Sequence, residues 1–233
     1  MVFAQWFPSA VFDTNCLVVA TGLGQECVVV DPGIEVVESL AELLAEHRLR
    51  PAAVLLTHGH LDHVYSVTPV CGAHGIAAHL HGDDAYRLTD PLRTLDPGLV
   101  AMLEREFGRP ATWAEPDDGR PLVDGQVLQV AGLEIEVLHA PGHTEGSVMF
   151  RLPGAPEGVA ASATLLAGDV LFAGSIGRTD LPGGDGRAMM RSLRTKVLPL
   201  DDATLVLPGH GPATTIGRER ATNPYLAEAG HPV

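Results

Sequence analysis

Four times this chain runs an apolar stretch, suited to a buried strand, directly into histidine or aspartate beside glycine or proline. Val54-Leu55-Leu56 leads into Thr57-His58-Gly59-His60-Leu61-Asp62-His63, and Val137-Leu138 into His139-Ala140-Pro141-Gly142-His143. Leu165-Leu166-Ala167 leads into Gly168-Asp169, and Leu205-Val206-Leu207 into Pro208-Gly209-His210. Residues just beyond the carboxyl ends of buried strands can meet in one crevice. Glycine lets the backbone come close to whatever occupies it. The pattern therefore demands a fold that brings four strand ends together.

Other apolar runs complete the outline. Cys16–Ala20 and Cys27–Val30 read as strands, with Gly22 and Gly24 marking the turn between them. Apolar residues at 36, 37, 40, 41, 43 and 44 predict an amphipathic helix over Val36–Glu46, after Pro32-Gly33. Further helices are expected over 64–75, 98–107 and 185–198, with a short terminal helix over 215–228. Strands are expected over 54–56, 76–80, 127–130, 133–138, 147–152, 164–167 and 205–207. The segment 82–120 mixes proline, glycine and charge and reads as an inserted cap or lid. Strands mixed with helices, with no repeat or low-complexity linker, indicate a layered α/β or α+β fold. Its 233 residues suit one domain spanning 1–233.

Composition excludes several classes of partner. Asp and Glu number 29 against 15 Lys and Arg, a formal net charge of −14, which disfavours nucleic acid. The longest stretch free of Asp, Glu, Lys and Arg, Val64–Gly82, contains Pro69, three histidines and three glycines, so no membrane span is expected. No Lys or Arg precedes Arg48, so a secretory leader is not expected and the cytoplasm is the simplest location. Cys16, Cys27 and Cys71 form no CxxC pair, and Cys16 and Cys27 lie in apolar runs; all three read as buried thiols.

The eleven histidines are the distinctive entry in the composition. Four donors fall within 58–63, and imidazole with carboxylate suits zinc and other borderline divalent ions. Together with His143, Asp169 and His210 they make five imidazoles and two carboxylates. That set exceeds the needs of one tetrahedral ion and suits two ions sharing a carboxylate, about 3.5–4 Å apart. His47, His74 and His231 read as ordinary residues, as do His79 and His81, which alternate along one strand; His139 reads as a strand-end residue.

HGHLDH at 58–63, followed in order by PGHTEGS at 141–147, AGD at 167–169 and PGHG at 208–211, resembles the metallo-β-lactamase fold superfamily. Ser175–Gly184 (SIGRTDLPGG), Thr215–Arg220 (TIGRER) and Asn223-Pro224-Tyr225 resemble its glyoxalase II-like, hydroxyacylglutathione hydrolase-type branch. The resemblance implies an α+β fold, a four-layer αβ/βα sandwich of two mixed β-sheets. It implies that His58, His60 and His143 hold one metal, that Asp62, His63 and His210 hold a second, and that Asp169 bridges them. Asp31, in VVVDPG, matches an aspartate that steadies the HxHxDH loop. The implied activity is hydrolysis of a small-molecule thioester by a hydroxide between two Zn²⁺ ions, with Asp62 and Asp169 as the catalytic carboxylates.

The chain departs from that branch around the substrate. Only 23 residues follow His210, so the C-terminal glutathione-binding domain of full-length glyoxalase II enzymes is not expected. Gly211 and Pro212 stand where the branch has an aromatic residue beside its last histidine. Arg178 occupies the place of a basic substrate-binding residue and is suited to pairing with a substrate carboxylate. The GRTD loop at 177–180 also resembles persulfide dioxygenases of the same superfamily, in which one Fe²⁺ would be held by His58, His143 and Asp169. A non-catalytic metal-binding member is the third alternative.

Overall fold

A computed structural model describes residues 2–95, 97–107 and 112–230. His231, and residues 96 and 108–111 of the expected cap, lie outside them. The chain opens with strands β1 (Phe3–Pro8), β2 (Asn15–Ala20) and β3 (Glu26–Val30), helix α1 (Val37–His47) and strand β4 (Arg50–Leu55). Helices α2 (Leu61–Val64) and α3 (Val67–His74), strand β5 (Ala78–His81) and helices α4 (Ala85–Thr89) and α5 (Pro97–Phe107) follow. Next come strands β6 (Gly119–Leu122), β7 (Val127–Val130), β8 (Leu133–His139), β9 (Val148–Pro153) and β10 (Ala163–Gly168). A hairpin of β11 (Leu171–Phe172) and β12 (Ser175–Ile176) leads to helix α6 (Gly186–Ser192). Strands β13 (Thr204–Pro208) and β14 (Thr214–Thr215) and helices α7 (Ile216–Thr222) and α8 (Pro224–Gly230) complete it.

The strands form two six-stranded sheets, ordered β1-β2-β3-β4-β5-β6 and β14-β13-β10-β9-β8-β7. Both are mixed: β3, β4, β5 and β6 run parallel, as do β10 and β13, while the other neighbours are antiparallel. Side-chain alternation sorts each strand into two layers. Leu17, Val19, Val28, Val30 and Leu55 meet Ile135, Val137, Val148, Phe150 and Leu166 between the sheets. The alternate residues Cys16, Val18, Val29 and Val54 face Leu40 and Leu44 of α1 and Val67 and Val70 of α3. Met149, Leu165, Ala167 and Val206 face Met189 of α6 and Leu226 of α8. The result is the four-layer α+β sandwich expected. β2 and β10 are buried along their whole length, which explains their unbroken apolar sequences.

Several boundaries differ from the sequence reading for local reasons. β1 was not expected; it is a half-buried edge strand whose Phe3-Ala4-Gln5-Trp6-Phe7 sequence lacks a continuous apolar run. The last residues of the expected cap, Gly119 and Arg120, instead begin β6 and extend the first sheet beside β5. The helix expected over 64–75 begins at Leu61 and is divided into α2 and α3. The one expected over 185–198 uses Asp185 as a cap accepting from Arg187 N and Ala188 N, and passes into a π-turn over Leu193–Val197. The terminal helix is split at Asn223–Pro224, where proline has no N–H to continue the ladder.

The two sheets are locked at the edge where the strand ends collect. Asn15 N donates to Gly209 O at 2.7 Å, and Asn15 Nδ2 to Pro208 O and Gly211 O. Val148 N of one sheet donates to Thr57 O at the end of the other at 2.8 Å. Phe150 lies at the centre of the intersheet layer with no exposed surface. Phe150→Ala is expected to cost about 3–5 kcal/mol in urea unfolding; a loss under about 1 kcal/mol would show that this layer is not close-packed.

Candidate metal centre

Each donor sits just beyond a strand. The HGHLDH segment leaves β4 and forms the start of α2; His143 follows β8, Asp169 follows β10 and His210 follows β13. The sandwich gathers them in three overlapping groups: His58, His60 and His143; His58, His63 and Asp169; and Asp62, His63 and His210. Every expected ligand is present in these groups.

The imidazoles are oriented from behind. His143 Nδ1 donates to Arg178 O at 2.8 Å, and His210 Nδ1 to Phe12 O at 3.0 Å. His63 Nδ1 lies 2.9 Å from Asp31 Oδ2, and His58 Nδ1 lies 3.1 Å from the Thr57 hydroxyl. Four rings therefore turn Nε2 inward, whereas His60 turns Nδ1 inward, 3.1 Å from His58 Nε2. Such contacts to the outer nitrogen set the tautomer and make the inner nitrogen a better ligand. Asp31 is fully buried in the left-handed region (φ 50°) and accepts from Thr57 N at 2.8 Å and Thr57 Oγ1 at 2.6 Å as well. It occupies the place expected of a residue steadying the HGHLDH loop.

The inner atoms fit a pair of ions. His58 Nε2 and His143 Nε2 are 3.2 Å apart, and His63 Nε2 and His210 Nε2 are 3.3 Å apart. Tetrahedral zinc with bonds of about 2.0–2.1 Å places its ligands about 3.3–3.4 Å from one another. Asp169 Oδ1 is 3.4 Å from His63 Nε2, while Oδ2 is 3.5 Å from His143 Nε2 and from His210 Nε2. Its two oxygens thus face both groups, and buried Oδ1 has no hydrogen-bond donor of its own. An unpartnered buried carboxylate oxygen aimed at inward-facing imidazoles is what a metal ligand looks like before its ion is counted. Asp62 Oδ2 lies 3.3 Å from His210 Nε2 and accepts from Thr14 Oγ1 at 2.8 Å.

Proton affinities divide the centre. Burial, with the neighbouring imidazoles, drives His58 well below its usual range and His60 to about 3. Burial also holds His143 down, against the pull of Asp169. Burial opposes protonation of His63, but Asp169, Asp62 and Asp31 outweigh it and raise it to about 10. His210 is raised by its bond to Asp62 and by Asp169, again against burial. Asp62 is held far below the carboxylate range by His63 and His210, although burial alone would raise it. Without ions, His58, His60 and His143 are thus disposed against protons, whereas His63 and His210 are disposed toward them.

Two sequence readings change in detail. Arg178 lines the cleft, but its exposed guanidinium is held by both oxygens of Asp180 at 2.7 Å, while its carbonyl orients His143. His139 is the last residue of β8, as expected, and joins a further donor group with His81 and Asp83. The rings of His81 and His139 stack at 3.9 Å with 13° between planes, and His139 Nε2 bonds Glu145 O. Lone pairs in parallel planes do not converge on one ion, so this pair is a packing contact. The sequence reading missed Thr14, Phe12 and Asp84. None belongs to a recognisable motif, and each reaches the centre only through folding.

A model of the metallo-beta-lactamase superfamily matches residues 10–210. The chain belongs to that superfamily. Within it the chain is a glyoxalase II-like member and a metal-dependent hydrolase. It is 36% identical to hydroxyacylglutathione hydrolase GloC of Haemophilus influenzae over 219 residues, covering 94% of this chain and 95% of that protein. Among solved structures it resembles BLEG-1 B3 metallo-beta-lactamase (TM-score 0.77, 37% identity, 96% and 99% of the two chains). It also resembles TTHA1623 in a di-iron-bound form (TM-score 0.74, 37% identity, 95% and 100%). In this chain the histidine–aspartate cluster gathers enough donors for two metal ions. Among the described residues no helix is long and apolar enough to cross a membrane.

Three outcomes follow from this geometry. A metal ligand must be unprotonated, so loading at pH 7.5 is expected to release a proton from His63 and to tighten as pH rises. Calorimetry in buffers of different ionisation enthalpy measures this, and uptake without proton release would contradict it. Correspondingly, His63 is raised from 6.5 to about 10 in the folded chain. The metal-free protein should hold that stabilisation fully below pH 6.5 and melt at lower temperature as pH climbs toward 10. Gly209 is required because a Cβ there would strike Asp169 Oδ1 and His63 Cε1. Gly209→Ala should therefore cost bound metal while far-ultraviolet circular dichroism stays native; full metal content would refute the close approach.

Proposed function

We propose that the protein hydrolyses the thioester of a small thiol at two zinc ions. His58, His60 and His143 would hold one ion and Asp62, His63 and His210 the other, with Asp169 placed between the two groups. The carrying observation is the position of Asp169, whose two oxygens lie within 3.5 Å of imidazoles from both groups. When bound, the ions supply a water acidified toward a pKa of about 7 and polarisation of the substrate carbonyl.

The chain's own residues arrange the rest. Asp62, anchored through Thr14, is too weak a base to keep a proton at neutral pH. It serves by accepting a hydrogen bond from the attacking water and so orienting it. The cleft has a volume of about 330 Å³ and is bordered by Phe12, Leu61, Leu95 and Leu181 beside the donors. That apolar border suits the carbon skeleton of an acyl thioester and displaces water from around it. Arg178 stands at the same cleft, where its guanidinium can reach a substrate carboxylate by leaving Asp180. A thiolate is a good leaving group because its conjugate thiol has a pKa of about 8.5, so no separate acid is needed. The net charge of −14 supports a small-molecule substrate over nucleic acid.

The name of the Haemophilus influenzae relative supports a hydroxyacyl thioester of a small thiol as substrate. The B3 metallo-beta-lactamase neighbour makes a β-lactam the competing substrate in any assay. One iron on His58, His143 and Asp169, as in a persulfide dioxygenase, would leave His60, Asp62, His63 and His210 without a task.

The test is metal analysis followed by thiol-release assays on zinc-loaded protein. About two metal equivalents per chain and thioester turnover are expected. Asp169→Ala should lower kcat/KM at least about 100-fold and release metal. A single iron with oxygen consumption on a persulfide would overturn the reading, as would β-lactam cleavage without thioester cleavage.

A further inference from the structure

We infer that Asp84 is a positioning residue for one half of the centre, the His58–His60–His143 group; this rests on the dinuclear reading above. Asp84 belongs to the short 3₁₀ turn Gly82–Asp84 that follows β5. It is fully buried, yet no part of the metal motifs contains it. Its carboxylate reaches both loops that carry this group. Oδ2 accepts from Gly59 N at 2.8 Å, the amide between His58 and His60. The same oxygen accepts from Thr144 Oγ1 at 2.7 Å, one residue past His143. Oδ1 accepts from Gly146 N at 2.8 Å. One carboxylate therefore fixes the spacing of two loops that are more than eighty residues apart in sequence.

Arg87 closes the arrangement from the far side. It is buried, with Nε 3.4 Å from Asp84 Oδ1 and Nη2 bonded to Glu145 Oε2 at 2.9 Å and Pro182 O at 2.8 Å. Its aliphatic stem lies against Gly59, where a Cβ would meet Arg87 Cβ at 2.6 Å. The loop is thus gripped through its amide by Asp84 and covered by Arg87. Glycine at 59 serves this close packing.

Asp31 is the counterpart on the other half, since it bonds Nδ1 of His63. Asp31 also reaches His58 through the Thr57 hydroxyl, whereas Asp84 serves only the loops of the His58–His60–His143 group. Asp31 orients a ligand of the Asp62–His63–His210 group directly. Asp84 acts through two backbone amides and the Thr144 hydroxyl, and touches no ligand side chain. An amide in place of Asp84 keeps one acceptor oxygen but turns an NH₂ toward donors, so some of the three clamping bonds must break. The lost order should appear as weakened affinity for one ion, because contacts behind metal ligands are typically worth about 10–100-fold in metal affinity.

The experiment is chelator-competition titration of zinc into wild type, Asp84→Asn, Asp31→Asn, His60→Ala and His210→Ala, with the double variants Asp84→Asn/His60→Ala and Asp84→Asn/His210→Ala. Wild type is expected to take two equivalents. Asp84→Asn should weaken one of them about 10–100-fold and leave the other within threefold. Its effect should vanish on a His60→Ala background and persist on a His210→Ala background, the pattern of a shared site. Should Asp84→Asn fail to fold, Thr144→Val removes one clamping bond and is expected to shift the same equivalent by a smaller factor. A folded variant that keeps both affinities, or loses both alike, overturns the assignment to Asp84. A wild type that takes up fewer than two ions instead overturns the dinuclear reading on which it rests.

Discussion

Everything in this protein turns on holding inward-facing imidazoles against their mutual repulsion. Nitrogen atoms of His58, His60, His63, His143 and His210 stand 3.1–3.3 Å from a neighbouring ring. In the His58–His60–His143 group burial and the neighbouring imidazoles oppose any added proton, whereas Asp62 and Asp169 favour protons on His63 and His210. The rings stay because four of them are tied from the opposite nitrogen, to Asp31, the Thr57 hydroxyl, Arg178 O and Phe12 O. Those ties hold the donors in place in the metal-free chain. An ion binds the folded arrangement of donors and not the unfolded chain, so metal affinity and fold stability are coupled.

The sandwich makes that cluster possible by meeting at one edge. Parallel pairing of β3 with β4 and of β10 with β13 sends HGHLDH, Asp169 and His210 out at the same side of the two sheets. A register irregularity between Leu166 and Gly168 lets the backbone turn so that Asp169 follows immediately. Asn15 and the Thr57–Val148 bond then pin one sheet to the other beside the site. The core provides stiffness through interdigitated aliphatic residues; the edge converts it into fixed distances between donors.

Support for the donors comes largely from backbone groups. Arg178 illustrates the point: its carbonyl orients His143 while its guanidinium is occupied by Asp180. Phe12 likewise gives its carbonyl to His210 and its ring to the cleft border. The same short segments therefore shape the metal centre and the entrance, which couples substrate fit to ligand geometry.

What the sequence determined by itself was local and chemical. The apolar runs of β2, β3, β10 and β13 are legible because strands buried on both faces need apolar residues at every position. The seven donors are legible because imidazole and carboxylate beside glycine, after such strands, serve a common chemistry. Edge strands β1 and β6 were not legible, since half-solvated strands carry no such run. The break between α7 and α8 was legible only as Asn223-Pro224, after the ladder was seen to stop there. Thr14 and Asp84 could not be found from sequence, because neither neighbours a donor in the chain. The family resemblance implied how the donors divide; only the tertiary structure showed which donors lie together and which buried carboxylate supports which loop. Those facts depend on contacts across 48 residues for Thr14 with Asp62, and 60 for Asp84 with Thr144. Sequence sets the chemistry a residue can offer; the packing of two sheets sets the distance at which it is offered.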